Sequence, residues 1–219
     1  MQHDFWHERW RTGQTGFHCA TAHTFLERWW PTLGVPTSAR VYVPLCGKSL
    51  DMAWLAGRGH AVVGSELSPI AIGGFFASQG LAPHVDNHAS YMVHAAGPYE
   101  ILQGDALALT TAELGPVQAA YDRAALFALP PPMRAVYARS FAALLPAGAR
   151  VLLIALEYPQ HLVDGPPFSV QRDEIDRLYG DTFAVQELER VELVDQNPRL
   201  AEAGVRRLQE VAYRMERKR

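Results

Sequence analysis

Cysteine is nearly absent from this chain: Cys19 and Cys46 are the only two in 219 residues. Two are too few for a disulfide framework, which excludes the small stapled secreted folds and predicts a reducing compartment, the cytoplasm. No stretch runs long enough without charge to cross a bilayer, so no membrane partner is expected. The N-terminus, Met1-Gln-His-Asp-Phe-Trp-His-Glu-Arg-Trp10, lacks a basic segment followed by an apolar one, and no secretory signal is expected. Internal repeats and low-complexity tracts are missing. So is a strong positive balance: the formal charge of −3 excludes a protein built chiefly to bind nucleic acid. The arginines of the tail, residues 205–219, read as a solvated strand face. What is present, 48% apolar and 20% charged residues, suits one globular domain spanning 1–219.

Periodicity divides the chain in two. Segments 3–11 and 21–30 have helical spacing, separated by a loop (12–17) that holds Gly13 and Gly16, and Pro31 should stop the second. From Arg40 onward strands and helices alternate. Strand 41–43 precedes helix 49–58, strand 61–64 follows, and Ser68-Pro69 opens a helix that runs to Gly80. Residues 82–97 show no clear period. Strands 99–102 and 118–122, helix 131–144, strand 150–157, a Pro/Gly loop 160–169, a short helix 173–179 and strands near 183–191 and 207–215 complete the order. Seven strands alternating with helices predict a mostly parallel sheet covered on both faces. Such sheets bind ligands at the carboxyl ends of their strands, near the switch in strand order. The functional residues are therefore expected in the loops after the first five strands.

The loop after the first strand admits three readings. Gly47-Lys48-Ser49 ends like a phosphate-binding P-loop, but Tyr42 stands where that loop needs a glycine. The dinucleotide fingerprint Gly-x-Gly-x-x-Gly is absent as well, and a pyrophosphate needs its several close backbone approaches. A methionine-based cofactor has no phosphate to receive, and one tight turn at Gly47 suffices for it. Glu66 supports this third reading. It ends the second strand, about 20 residues beyond the turn, where an acid accepts hydrogen bonds from ribose hydroxyls; alone, it could equally cap the helix opening near Ser68. Asp105, after Gly104, stands where an adenine amino group would be received, or is a turn aspartate. Arg123, after the fourth strand, either pairs with an acid such as Asp122 or faces a ligand. His3 and His7 have metal-ligand spacing but no accompanying glutamate, and no metal is expected. Cys46, in the turn, reads as packing.

Beyond these single positions, whole stretches become familiar. Phe5-Trp-His-Glu-Arg-Trp10, Gly13-Gln-Thr-Gly-Phe-His18, Val43-Pro-Leu-Cys-Gly-Lys-Ser-Leu-Asp-Met52 and Val63-Gly-Ser-Glu66 resemble the thiopurine S-methyltransferase family, bacterial members especially. Tyr121-Asp-Arg-Ala-Ala-Leu126 and Asp164-Gly-Pro-Pro-Phe-Ser-Val170 extend the match over nearly the whole chain, in order. The resemblance implies an α/β, Rossmann-like class I methyltransferase dependent on S-adenosylmethionine, with S-adenosylhomocysteine as product and residues 1–35 as a helical cover or lid. By position it implies that Trp10, Leu45, Glu66, Asp105, Ala106 and Arg123 contact the cofactor. Phe17, Arg123 and Arg199 would serve the acceptor side. The sequence departs from the family at Ser65, where a small apolar residue is expected, and at Cys19-Ala20, where a polar-proline pair is usual. Asp105 stands where relatives can have serine.

The implied reaction is methyl transfer to the sulfur of a small aromatic or heterocyclic thiol, a thiopurine among them. Inorganic selenium or tellurium species and other thiol metabolites are the alternative acceptors; a nucleotide-binding module without transferase activity is the alternative of another class. A soft sulfur nucleophile does not require a dedicated base, and none is expected here. The chain is expected to act as a monomer.

Overall fold

The computed structural model describes residues 3–15, 18–88 and 90–219. One sheet organises the chain. Its strands are β1 (Arg40–Val43), β2 (Ala61–Glu66), β3 (His84–His88), β4 (Tyr91–Ala96), β5 (Tyr99–Gln103), β6 (Ala119–Arg123), β7 (Arg150–Glu157), β8 (Phe183–Glu192) and β9 (Gln209–Arg217). They lie in the order β3-β4-β5-β2-β1-β6-β7-β9-β8. The central five, β5 to β7, run parallel, and antiparallel pairs close both edges. Among the described residues the count is nine rather than the expected seven. The two additional strands are the antiparallel hairpin of β3 and β4, folded from the stretch that showed no period. Every residue of β3 is exposed, so its sequence, His-Val-Asp-Asn-His, carries no apolar alternation to betray a strand.

Strand parity sends alternate side chains to two cores. Val41, Val43, Val62, Ile101, Tyr121 and Ile154 pack with α2 (Thr24–Trp29), α3 (Leu50–Gly57) and α4 (Pro69–Ser78). Tyr42, Val63, Leu102, Ala120 and Leu153 pack on the opposite face with α5 (Thr111–Leu114), α6 (Pro131–Leu144) and α7 (Arg172–Tyr179). Helix α2 starts at Thr24 rather than near residue 21, because the His23 imidazole caps it by accepting the Phe25 N–H through Nδ1 at 3.2 Å. Pro31 then sits in the 3-10 turn Trp30–Leu33 that ends the segment. The chain leaves β1 for β2 and β5 on one side and returns to β6 and β7 on the other. The switch point therefore lies between the carboxyl ends of β1 and β6.

Candidate active site

At the end of β1 the backbone takes two left-handed steps, Leu45 at φ 45° and Gly47 at φ 53°. A non-glycine residue in that region is held only by strong surroundings, and such positions cluster at ligand sites. The Cys46 N–H donates to the Ser65 carbonyl at 3.0 Å. The Cys46 side chain fills the space over Gly64, where an added Cβ would stand 2.5 Å from Sγ. Cys46 is thus a packing residue, its thiol pushed up by burial and then by the Glu66 charge. Ser49 caps α3 by accepting the Asp51 N–H at 3.2 Å.

Glu66 joins three loops. Its Oε2 accepts the Gly47 N–H at 2.9 Å, its Oε1 accepts the Ser68 N–H at 2.8 Å, and its own carbonyl accepts the Gly104 N–H at 3.0 Å. Burial raises its pKa, while the backbone N–H groups of Ser68, Gly47 and Leu67 pull the other way. Glu66 thus braces the start of α4 from the end of β2, as the capping expectation has it. With three backbone N–H groups on four lone pairs, the carboxylate keeps capacity for a ribose hydroxyl.

The loop after β5 is buttressed by the unforeseen hairpin. Tyr91 of β4 lays its ring against Gly104, where a Cβ would come within 2.5 Å, and its hydroxyl donates to the Asp105 carbonyl at 2.7 Å. The Asp105 carboxylate accepts the Leu107 N–H at 2.9 Å through Oδ1, and its Oδ2 lies 3.4 Å from His3 Nε2. Ala106 is buried beside it. His3 belongs to α1 (His3–Arg11), which crosses the strand ends; at its other end Trp10 covers Gly47, with a ring carbon 3.0 Å from where a Cβ would be. Helix α1 therefore spans the distance between the two loops assigned to opposite ends of the cofactor. Lys48 Nζ lies 6.0 Å from the centre of the Trp10 ring. Phe17 and Gly16, assigned to the acceptor edge and to the lid hinge, lie outside the described residues.

At the end of β6 adjacent residues part company. Asp122 faces α6, where its Oδ2 accepts the Tyr137 hydroxyl at 2.6 Å and its Oδ1 the Leu126 N–H at 3.3 Å. Arg123 faces α3. Its Nη2 donates to Cys19 Sγ at 2.9 Å and its Nη1 lies 3.8 Å from Asp51 Oδ2. The pairing of Arg123 with Asp122 is thereby excluded, because successive strand residues point to opposite faces. Ala124 then turns the chain at φ 70°. Arg123 is 15% exposed, and among the described residues its Nε finds no partner. His18 stands nearby with its pKa lowered, first by burial and then by the charges of Lys48 and Arg123.

Arg199 is exposed on α8 (Pro198–Glu202), its charge acting on the Tyr158 hydroxyl beyond β7. A cavity of about 540 Å³ lies on that side, lined by Glu157, Tyr158, Gln171, Arg190 and Gln209. Its polar groups bond to one another: Arg190 to Glu157 and Gln209, Gln171 to the Tyr158 carbonyl. The Gly165-Pro-Pro-Phe168 loop is tied to the loop after β6 by the Phe168 N–H, which donates to the Phe127 carbonyl at 2.7 Å. Sequence reasoning missed Tyr91, Asp51 and the bond from Arg123 to Cys19. For Asp51 a signal was there: it follows Ser49 by two residues in the first turn of a helix at the strand ends.

The family model for thiopurine S-methyltransferase (TPMT) matches residues 1–218. A thiopurine S-methyltransferase of Xanthomonas campestris pv. campestris is 48% identical over 219 residues, covering 99% of this chain and all of that one. One of Azotobacter vinelandii is 46% identical over 218 residues, with both chains covered in full. Among solved structures, an S-adenosylmethionine-dependent methyltransferase from Anabaena variabilis superposes with a TM-score of 0.68 at 14% identity, over 99% of this chain and 95% of that one. The Burkholderia thailandensis 1,6-didemethyltoxoflavin-N1-methyltransferase, solved with S-adenosylhomocysteine, gives 0.65 at 16% identity, over 99% and 87%. The switch-point loops, the glutamate that joins them and the full-length match lead to one conclusion: the chain belongs to the thiopurine S-methyltransferase family and is an S-adenosylmethionine-dependent methyltransferase.

Proposed function

We propose that the acceptor is the sulfur of a small aromatic or heterocyclic thiol, bound as its anion beside Arg123. The observation that carries this reading is the placement of two cations, Lys48 and Arg123, around His18 at the end of β6. The charges of Lys48 and Arg123 add to burial in lowering the His18 pKa. Burial, the larger cause, would disfavour a thiolate too, and Asp51 acts against the two cations; it is the positive charge of Lys48 and Arg123 that favours an anionic sulfur here. The acceptor then arrives already deprotonated, and no dedicated base is needed. Arg123 holds a permanently charged guanidinium, and its two terminal nitrogens carry more N–H groups than the one that Cys19 takes.

On this reading Glu66 takes the ribose hydroxyls, Asp105 and Ala106 flank the adenine, and Leu45 and Trp10 cover the methionine part. The cofactor, when bound, supplies a methyl group already activated on a sulfonium. The chain's part is to align sulfur with methyl and to exclude water, which Trp10 and α1 suit by closing over the Gly47 turn. The support from relatives is their name, thiopurine S-methyltransferase.

The test is a screen of 6-mercaptopurine, simple aromatic and aliphatic thiols, and selenite and tellurite with labelled S-adenosylmethionine. Turnover of the thiols above the oxyanions is expected. Transfer to the oxyanions alone would replace the thiol by selenium or tellurium species as acceptor, and transfer only to nitrogen or oxygen nucleophiles would overturn the reading.

A further inference from the structure

Arg123 is anchored from outside its own strand, by the N-terminal segment and by α3. We infer that Asp51 and Cys19 are positioning residues, which fix the direction of the Arg123 guanidinium toward the methyl acceptor. The inference rests on the acceptor-side reading of Arg123 proposed above.

A carboxylate buried at a helix start needs partners. Among the described residues Asp51 has His23 and Arg123, from different parts of the chain, with the Tyr121 hydroxyl of β6 also in its field. Its Oδ1 accepts the His23 N–H at 2.7 Å, and its Oδ2 faces Arg123 Nη1 at 3.8 Å. At that separation the attraction to Arg123 is charge to charge rather than a hydrogen bond, and burial leaves it weakly screened. Cys19 Sγ accepts directly from Nη2. Both anchors grip the terminal nitrogens and leave Nε, on the flank, without a partner among the described residues.

The anchors are also linked to each other. Cys19 and His23 belong to one short stretch, and His23 is itself held by Glu210 of β9 through Nε2 at 3.0 Å. Docking of residues 18–23 on the strand ends and aiming of the arginine are therefore one event. The N-terminal segment does more than cover the site: it completes the acceptor side. A purely structural role for Asp51, docking His23 on the first turn of α3, needs only a neutral oxygen at Oδ1, and asparagine supplies that.

Four variants separate these roles: Asp51→Asn, Cys19→Ala, Cys19→Ser and Arg123→Lys, each measured for 6-mercaptopurine kinetics, S-adenosylhomocysteine affinity and melting temperature. Asp51→Asn should raise the acceptor KM or lower kcat/KM about tenfold, with S-adenosylhomocysteine affinity kept within about twofold. Cys19→Ala should lower kcat/KM several-fold, and Cys19→Ser, which keeps an acceptor atom at that place, should recover most of the loss. Adding Asp51→Asn to Arg123→Lys should cost little further. If Arg123→Lys by itself leaves acceptor kinetics unchanged, the acceptor reading of Arg123 fails and this inference with it. If Arg123→Lys impairs the acceptor but Asp51→Asn and Cys19→Ala have wild-type kinetics, whatever their melting temperatures, only the positioning role is overturned. Should Asp51→Asn not fold, the Cys19 pair decides, because Cys19 lies half-buried in a segment outside helix and sheet.

Discussion

Asp122 is the residue whose removal has the most calculable effect. It is fully buried, and burial raises its carboxyl from the ordinary 3.8 to about 6, against the pull of the Tyr137 hydroxyl and the Leu126 and Ala125 N–H groups. An acid whose pKa is higher in the folded than in the unfolded chain binds its proton more tightly when folded. Its contribution to stability is fully present below pH 4 and is lost as pH rises through about 6. The span from 3.8 to about 6 corresponds to about 3 kcal/mol lost between acid and neutral pH. Asp122→Asn removes the titration. Its Oδ1 still accepts the Leu126 N–H, and the Tyr137 hydroxyl turns to accept from the new amide, a change independent of pH. Urea denaturation of both proteins from pH 4 to pH 7 gives the difference in unfolding free energy at each pH. Glu66, also raised by burial, adds a slope of the same sign to both proteins and cancels in the difference. Because the unfolded carboxyl is already partly ionised at pH 4, the wild type should lose about 2.4 kcal/mol relative to Asp122→Asn across that range. A difference that stays flat would refute the assignment of this slope to Asp122.

Three further outcomes are expected. Glu66→Ala should weaken S-adenosylhomocysteine binding by about 1.5–3 kcal/mol, the range for a hydrogen bond to a charged group, and unchanged affinity by calorimetry would remove Glu66 from the site. Gly47→Ala places a methyl group 3.0 Å from the Trp10 ring at φ 53°. It should destabilise the fold by about 1–3 kcal/mol, with cofactor affinity falling as well, and wild-type melting and binding would show the turn to be slack. Hydrogen exchange in α1 should slow when S-adenosylhomocysteine binds, if the helix closes over the cofactor; equal protection with and without ligand marks it as a fixed part of the fold.

The parts of this protein that were legible in its sequence are those where local chemistry dictates structure. The Pro44-to-Ser49 turn, the Ser68-Pro69 helix start and the apolar runs of the central strands fall where periodicity and capping place them. Helix α6 spans Pro131–Leu144, as its spacing predicts. The hairpin of β3 and β4 was illegible because an edge strand exposed along its length has no need of apolar residues; its pairing partner, not its composition, makes it a strand. Asp51 and Cys19 were illegible as a pair for a different reason. They stand 32 positions apart, and only the docking of the N-terminal segment brings both to Arg123.

The end of β6 shows how much one unused rule contained. Tyr121 and Arg123 share a parity, and Tyr121 packs with α2 and α3. Asp122 has the parity of Ala120, which packs with α6. That alternation alone separates Arg123 from Asp122. The charge of Arg123 must be answered by something on the α3 side, and Asp51 is the acid in the first turn of α3. The division has a functional consequence. Asp122 ties the turn down from one face through Tyr137 and Leu126, with no contact to the Arg123 side chain. The guanidinium on the other face meets Asp51 of α3 and Cys19 of the N-terminal segment. The contacts of the turn and those of the Arg123 side chain therefore lie on opposite faces of the sheet, and a substitution can disturb either set without the other.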